Sequence, residues 1–547
     1  MATHHNRAVR AKAKKTYRSQ PSDYPPPTPK KPVPMERRAN FFLLLPRSYK
    51  SQICYIIALL DVVLCIQIVL LWRDVDMRCS SQSFIQASKE NFTKIPARLK
   101  VLIDSSTVTK AGEHRIKKVL SRMGYRYATP DEDWNLLWTQ FYPFSHNTRK
   151  RHPELELLMD VKNIPPRSKV NHFPGMGFML NKMVLNTFQP SKYIPKTFVM
   201  PLEKMHFLNQ IKSPRYQNQL WIEKGQNHRG NKVKETKDLN LDHNILVQEF
   251  ISDQFLVYGH SIQIGVFVLF TSIEPLRFYI QDFSYRLAPA KFSLDDFNDT
   301  RKYVTDGHKD IKQPHTFPEM RHRFEAGYNK RQMISSYITD AGHNISKIHD
   351  QIYDAIRSVL YSGSDVMLQE FRKMYGSAPT VSCNFFEFTR WDFILGSNMQ
   401  VYLLEVNASP DMIVEDSPRA LRYEAYLFNV LRILGADKGG HAAQGNWLRN
   451  SDVLVSKAMC YKPMCESCSS EECLQCGHCH TEDHVKMLKE SLGEHLNRLG
   501  MRRLHPKPMT HGGVTSTDYW REYIPEHERL NQAWFEEKCK QDTYWCT

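Results

Sequence analysis

Two neighbouring segments near residue 400 place acidic and amide side chains inside strongly apolar sequence. Residues 385–395 contain Asp392, and residues 402–410 contain Glu405 and Asn407. Alternate residues of a strand point to one face, so Glu405 and Asn407 share a face if their segment is a strand. Carboxylate and amide oxygens suit Mg²⁺, which shares the rest of its shell with water and phosphates. The segments therefore predict a hairpin that binds Mg²⁺ through Asp392, Glu405 and Asn407; a solvated acidic strand face is the alternative.

The elements around this hairpin mix strands with helices, so the predicted fold class is α+β. Alternating or continuous apolar runs predict strands at 101–103, 134–138, 196–201, 219–224, 245–251, 261–271 and 276–280. Helical spacing of apolar residues predicts helices at 111–123, 179–188, 344–361, 417–434 and 485–504. We expect one globular domain over residues 99–435 and a cysteine-rich C-terminal extension over 436–547.

The basic charge of the chain is concentrated in its first fifty residues. The 547 residues carry a formal charge of +16 and are 41% hydrophobic, enough for two or three domains. Residues 1–50 hold twelve Lys and Arg against two acids, whereas the remainder holds 62 basic and 56 acidic residues. The tail is Pro-rich and without periodicity, which predicts disorder. The globular body carries no charge pattern that points to a nucleic acid.

Residues 53–72 form one apolar run of twenty residues, long enough to cross a bilayer once. We expect a transmembrane helix at 51–72, followed by a stalk at 73–98. A buried core helix is the alternative, and a cleaved signal peptide is disfavoured by the length and position of the run. The basic tail precedes the run, so the positive-inside rule predicts a cytosolic tail and a lumenal or extracellular body, most simply in the endomembrane system.

Glycosylation sequons and cysteines agree with that orientation. Sequons start at Asn91, Asn298 and Asn344, and a formal one at Asn407 is followed by Pro410. Ten cysteines lie outside the apolar run, an even number that suits disulfides in an oxidising compartment. Six of them are spaced closely over 460–479 with several histidines nearby, a pattern that would indicate zinc in a cytosolic protein. Both alternatives, disulfides and zinc, remain open at this point.

Several motifs in chain order resemble the tubulin–tyrosine ligase-like family. They occur at 133–138, 172–175 with Lys182, 195–198, 221–224, 247–251, 271–279 and 404–410. The resemblance covers about residues 100–435 and implies an ATP-grasp-like fold. It also implies an ATP- and Mg²⁺-dependent ligase, of the polyglutamylase type, that joins a free amino acid, glutamate for that type, to a protein carboxylate through an acyl-phosphate. Tubulin is the acceptor that the family implies, whereas the predicted topology would favour a lumenal protein.

The resemblance also assigns roles to individual residues. It makes Asp392, Glu405 and Asn407 the metal ligands and Arg286 the arginine that pairs with the amino-acid carboxylate, a bidentate task that suits guanidinium. The residues matched to nucleotide contacts are Lys224, Arg229, Gly230, Gln248, Glu249, Phe250 and Ile251. Thr305 and Asp306 match a Thr-Asn pair near the amino-acid substrate, with Asp in place of Asn.

The chain departs from the family pattern next to the predicted nucleotide site. Where the family has a lysine, an acid near the ribose and an arginine near the reacting phosphate, this chain has Ser261, Gln263 and Gly265. Gly225 and Lys232 replace a family Pro and Gly. A phosphoryl-transfer site relies on fixed positive charge, so the loss of two cations disfavours catalysis. The alternative function is therefore a catalytically degenerate relative that acts as a nucleotide-binding or scaffold protein.

Overall fold

The computed structural model describes residues from Leu99 onward, all of which lie in the unit Ala97–Thr547. Within it the described residues are 99–103, 110–129, 131–145, 150, 160, 164–165, 168–185, 192–225, 231–305, 313–376, 384–408, 410, 418–436, 448–455, 457–509 and 525–547. The predicted tail, transmembrane helix and stalk lie outside these residues. Among the residues that are described, no helix is both long and apolar enough to cross a membrane.

Most strands belong to one large mixed sheet. The strands are β1 Lys100–Ile103, β2 Arg126–Tyr127, β3 Leu136–Trp138, β4 Lys169–Asn171, β5 Thr197–Val199, β6 Trp221–Lys224, β7 Lys232–Lys234, β8 Leu246–Glu249, β9 Leu256–Val257, β10 His260–Ile273, β11 Leu276–Leu287, β12 Phe385–Leu395, β13 Val401–Ala408 and β14 Arg502–His505. The large sheet runs β14-β11-β10-β12-β4-β3-β1-β2, with β13 paired to β12 and β9 to β10. A smaller antiparallel sheet has the order β5-β8-β6-β7.

Helices cover both faces of the large sheet. They are α1 Lys110–Arg122, α2 Gly177–Leu180, α3 Lys182–Leu185, α4 Lys204–Gln210, α5 Pro318–Glu325, α6 Lys330–Asp340, α7 Ile345–Tyr375, α8 Pro418–Ile433, α9 Glu482–Asn497 and α10 Glu526–Gln541. The mixture of helices with two sheets confirms the α+β prediction. The long helix α7 extends well past the predicted end at residue 361, because apolar residues continue on its buried face to Tyr375.

The alternation of β10 divides its side chains between two cores. Ile264, Val266 and Val268 pack into the large core that contains the buried face of α7. Phe267 and Leu269 point to the opposite face and pack beneath α1 and α8. Gly265 shares that second face but lies nearer the beginning of the strand, where the candidate site is located.

The C-terminal extension contributes an edge strand to the same sheet. We predicted a helix over 485–504, but α9 ends at Asn497 and residues 502–505 form β14, which pairs antiparallel with β11. The helix prediction was wrong at its end because Leu499 adopts a left-handed conformation (φ 53°) that a helix cannot contain. The predicted globular domain and the C-terminal extension therefore share one sheet.

The cysteines of the extension form disulfides. The pairs are Cys460–Cys476, Cys465–Cys473, Cys468–Cys479 and Cys539–Cys546. Of the two alternatives left open by the sequence, the structure therefore shows disulfides. Three cross-links within 460–479 hold a segment that consists of short 3₁₀ turns and has only a small apolar cluster of its own.

Candidate functional site

The three predicted metal ligands lie together on one face of the large sheet. Asp392 of β12 is the register partner of Glu405 on β13, and Asn407 follows two residues later. On its other side, Asp392 is the register partner of Gly265 on β10. Directly opposed residues of adjacent strands bring their side chains close together, which places both carboxylates and the amide in one cluster.

The amide of Asn407 marks where a cation fits between the carboxylates. Its Nδ2 donates to Asp392 Oδ2 at 3.0 Å and to Glu405 Oε1 at 3.2 Å. Rotating the amide by 180° would present Oδ1 to the same position and complete a set of oxygen ligands. Hard oxygen donors of this kind fit Mg²⁺, so the residues present agree with the predicted metal site.

Two arginines converge on the fully buried Asp392. Arg390, two residues earlier on β12, donates from Nε to Asp392 Oδ1 at 2.9 Å and from Nη2 to Oδ2 at 2.8 Å. Arg286 of β11 donates from Nη2 to Asp392 Oδ1 at 3.1 Å. The structure thus places Arg286 beside the predicted metal ligand Asp392. Burial lowers the pKa of Arg286, and the neighbouring Asp392 raises it in part.

Lys182 and Lys224 both stabilise the charge of Glu405. Lys182, at the start of α3, forms an ion pair with Glu405 Oε2 at 2.6 Å. Burial alone would raise the pKa of Glu405, but Lys182 first, and then Lys224 and Asn407, lower it to about 2. Glu405 is therefore ionised at neutral pH, as a metal ligand must be.

Lys224 links the small sheet to the large one. The register of β12 and β13 shifts after the Asp392–Glu405 pair, so Leu404 forms a bulge. The Leu404 carbonyl accepts a hydrogen bond from Lys224 Nζ at 3.3 Å, and Gln248 Oε1 accepts another at 2.6 Å. Burial lowers the pKa of Lys224 to about 8, while Glu405 opposes that shift. The lysine remains mostly protonated at neutral pH.

A buried His–Glu pair anchors the turn that precedes Lys182. Glu387 of β12 contacts His172 Nδ1 at 2.8 Å and accepts a hydrogen bond from the Phe173 amide at 3.1 Å. The turn continues through Gly175, which has φ +85° and whose added Cβ would lie 2.7 Å from the Met367 carbonyl oxygen. Only glycine combines that conformation with such close packing on α7.

Two of the residues that depart from the family pattern have structural partners. Ser261 Oγ donates to Gln254 Oε1 at 2.6 Å, and both side chains are buried. Gln263, the register partner of Arg286, accepts a hydrogen bond from Thr305. Thr305, a predicted substrate residue, therefore contacts the register partner of Arg286. Its predicted neighbour Asp306 lies outside the described residues, as do Arg229 and Gly230.

Residues 248–251, which the resemblance matches to nucleotide contacts, lie at the end of the small sheet. The Glu249 amide donates to the Lys196 carbonyl at 2.8 Å, and the Phe250 amide donates to the Leu220 carbonyl at 2.9 Å. The Ile251 carbonyl accepts from Gln254 Nε2 at 2.8 Å. Gln248 acts through its side chain, which fixes Lys224, a role that the sequence did not predict.

Positive charge exceeds negative charge in this cluster. Six charged side chains of the described residues form it, four cations and two carboxylates: Lys182, Lys224, Arg286, Arg390, Asp392 and Glu405. Without a metal the cluster carries an excess of two positive charges, and Mg²⁺ would add two more. Fixed positive charge in a largely buried place is typical of a polyphosphate site.

Two of the four cations were missed as site residues by sequence analysis. Lys182 entered only as part of a motif, and Arg390 entered only as a member of the apolar run before Asp392. A signal for Arg390 did exist, since a residue two before Asp392 on a strand shares its face. The signal for Lys182 is weaker, because its contact with Glu405 depends on how the preceding turn packs.

Comparison with protein families gives one match to this part of the chain. Residues 159–438, slightly more than half of the sequence, match the tubulin-tyrosine ligase family. All the predicted site residues lie within that range.

Three curated relatives that match this chain are named as tubulin polyglutamylases. The chain is 28% identical over 454 residues to the probable tubulin polyglutamylase ttll-15 of Caenorhabditis elegans, a match that covers 79% of this chain and 83% of the relative. It is 24% identical over 312 residues to the tubulin polyglutamylase TTLL6 of Homo sapiens, covering 54% of this chain and 33% of that protein. It is 23% identical over 342 residues to TTLL7 of Mus musculus, covering 58% of this chain and 36% of that tubulin polyglutamylase. The chain thus spans about a third of the length of the last two.

Proposed function

Because this chain belongs to the tubulin-tyrosine ligase family, we propose that it is an ATP- and Mg²⁺-dependent ligase that joins glutamate to a protein carboxylate. The observation that carries the proposal is the cluster of four cations around the carboxylates of Asp392 and Glu405. A scaffold protein would not need to hold four cations around one buried and one mostly buried carboxylate, because burying charge is costly. The α+β arrangement with a lysine linking two sheets fits an ATP-grasp-like fold.

The proposed reaction has two steps that together consume one ATP. The γ-phosphoryl group of ATP passes to a carboxylate oxygen of the acceptor protein, which gives ADP and an acyl-phosphate. The amine of glutamate then attacks the acyl carbon, inorganic phosphate leaves, and the amine loses one proton. The product is an amide bond between the acceptor and the new glutamate.

Most groups of the cluster have a part in this proposal. Asp392, Glu405 and Asn407 would hold Mg²⁺, which neutralises phosphate charge and aligns the transfer. Lys224 and Lys182 lie on the Glu405 side and provide fixed positive charge there. Arg286 lies on the Asp392 side, near Thr305, where it can bind a carboxylate through its planar fork. The amide and lysine contacts of Glu405 keep it ionised and oriented.

The proposed activity can be tested by ATP-dependent incorporation of labelled amino acids. Purified full-length chain would be incubated with tubulin, Mg²⁺, ATP and labelled glutamate, glycine or tyrosine. We expect label from glutamate in the protein fraction, with release of ADP and phosphate in equal amounts. A folded chain that releases no ADP with any of the three amino acids, on tubulin or on a mixture of secreted proteins, would instead favour the degenerate alternative.

We further propose that the body lies in the lumen of the endomembrane system, behind a membrane anchor at residues 51–72. The support is the set of four disulfides, which persist in oxidising compartments and are rare in the cytosol. On this proposal the acceptor is a lumenal or secreted protein. Tubulin remains the acceptor that the names of the relatives suggest, and it would require the opposite orientation.

Glycosylation of an exposed sequon distinguishes the two orientations. Asn298 is exposed in the structure, so a lumenal body should carry a glycan there when the full chain is expressed in eukaryotic cells. We expect a mobility shift that a glycosidase removes, and a smaller shift in both Asn298→Gln and Thr300→Ala, which destroy the same sequon. A cytosolic body would show no glycosidase-sensitive band in the wild-type chain or in either variant.

A further inference from the structure

The groups that surround the Asp392 carboxylate carry more positive charge than its single negative charge can balance. Its side chain is fully buried and accepts hydrogen bonds from Arg390, Arg286 and the Asn407 amide. The two guanidinium groups are themselves mostly buried, with 14% and 17% of their side chains exposed. A metal ion bound at the same carboxylate would bring the local charge further above zero, so the arrangement calls for an anionic ligand.

The stem of Arg390 lies over Gly265 on the neighbouring strand. A Cβ built at Gly265 would lie 3.4 Å from Arg390 Cδ, 3.2 Å from Asp392 Oδ1 and 2.6 Å from Ser284 Oγ. The missing side chain at position 265 therefore leaves room for Arg390 to reach Asp392. Gly265 has no left-handed backbone conformation, so close packing is the requirement that this structure shows for glycine there.

The family resemblance places an arginine near the reacting phosphate at position 265, where this chain has glycine. We infer that Arg390 is a phosphate-binding residue of this site and supplies that charge from the adjacent strand. The inference rests on the proposed function. With Mg²⁺ bound at Asp392, the guanidinium of Arg390 would turn donors to the phosphate oxygens, for which its planar fork is suited.

A purely structural role for Arg390 makes a different prediction from a phosphate-binding role. If Arg390 only oriented Asp392, its removal would weaken both the metal and the nucleotide. If it binds phosphate, its removal weakens the nucleotide but leaves Asp392 with one fewer competing cation, so that Mg²⁺ alone binds equally well or more tightly. The signs of the two effects therefore separate the roles.

Calorimetric titration of the full chain would measure both quantities. The probes are Mg²⁺ alone, and a non-hydrolysable ATP analogue in saturating Mg²⁺. For Arg390→Gln we expect analogue affinity to fall about 10- to 100-fold, the range for charged hydrogen bonds, while affinity for Mg²⁺ alone stays the same or rises. The analogue affinity of Arg390→Lys should lie between those of the wild-type chain and Arg390→Gln, because lysine keeps the charge but loses the planar fork. Arg331→Gln is the matched control, since Arg331 pairs with Asp282 of the same sheet at 2.9 Å outside the cluster.

A double variant that moves the arginine from position 390 to position 265 tests whether analogue binding can be restored. Arg390→Gly combined with Gly265→Arg returns the arginine to the other strand, and Ser284 can rotate its hydroxyl away from the new Cβ. We expect the double variant to bind the analogue at least about 10-fold more tightly than Arg390→Gly alone.

The outcomes are distinct. The role of Arg390 would be overturned if Arg390→Gln bound the analogue as tightly as the wild-type chain. It would also be overturned if that variant lost affinity for both Mg²⁺ and the analogue. Either result would leave the proposed function intact. A double variant no better than Arg390→Gly, although folded, would also count against the role of Arg390. A folded wild-type chain that binds no analogue would overturn the proposed function, and this inference with it.

Discussion

Glu405→Gln will lower the rate of ATP-dependent ligation about 10³-fold, equivalent to about 4 kcal/mol of transition-state stabilisation. The substitution keeps the shape of the side chain but removes the charge that faces Lys182 at 2.6 Å and that the proposed Mg²⁺ requires. The variant would be compared with the wild-type chain at saturating ATP, with ADP release as the readout. The effect should exceed any change in stability, because Glu405 lies at the edge of the cluster with 17% of its side chain exposed.

Glu424→Gln is the matched control for that measurement. Glu424, on α8, is also a mostly buried glutamate between two cations, with Lys118 at 2.7 Å and Arg122 at 2.8 Å. These partners lie on α1, so the control removes a comparable pair of contacts outside the site. We expect it to keep activity within about twofold. Equal losses in the two variants would mean that the effect of Glu405 is structural.

Glu494→Ala will lower the free energy of unfolding by about 3–5 kcal/mol, the range for breaking one side of a buried ion pair. Glu494 of α9 accepts hydrogen bonds from Arg277 Nε at 3.0 Å, Tyr279 at 2.9 Å and Thr271 at 2.8 Å. Arg277 is 1% exposed, so the substitution removes the nearer carboxylate of a buried cation and leaves Glu490 at 3.6 Å. The loss should appear as a lower thermal midpoint and a lower denaturant midpoint.

Replacing both residues of the Arg277–Glu494 pair provides a control that should lose less stability. Replacing both partners, as Arg277→Met with Glu494→Leu, removes the stranded charge and should cost less than Glu494→Ala alone. Glu482→Ala on the exposed first turn of α9 should cost under about 1 kcal/mol. A double variant less stable than Glu494→Ala would contradict this account. It would mean that the Arg277–Glu494 ion pair stabilises the fold by more than the cost of burying its charges.

The metal ligands could be predicted from the sequence because their geometry is local. Glu405 and Asn407 share a face through the two-residue period of a strand, and a short connection makes the segment with Asp392 its natural partner. Lys224 was found by resemblance, but its burial was not predicted. The carbonyl it binds exists because β13 has a bulge at Leu404, which no local pattern indicates.

The rest of the site depends on contacts between residues that are distant in sequence. Gly265 on β10 makes room for Arg390 on the adjacent strand β12. Glu387 fixes the turn before Lys182 from a position more than two hundred residues away. The strand β14 was hidden because 502–505 follows an amphipathic helix pattern, and only its pairing with β11 reveals it. Disulfide pairing was likewise beyond the sequence, since the eight cysteines of the extension allow 105 connectivities.

The most direct test of the central claim, that Asp392, Glu405 and Asn407 form a magnesium-dependent nucleotide site, is a calorimetric titration of the full-length chain with ATP. It would be done with Mg²⁺ and again with the metal chelated, and it requires no knowledge of the acceptor. The account predicts one-site binding that depends on Mg²⁺. A chain that is folded by circular dichroism yet binds no ATP, or binds it equally well without the metal, would contradict the claim.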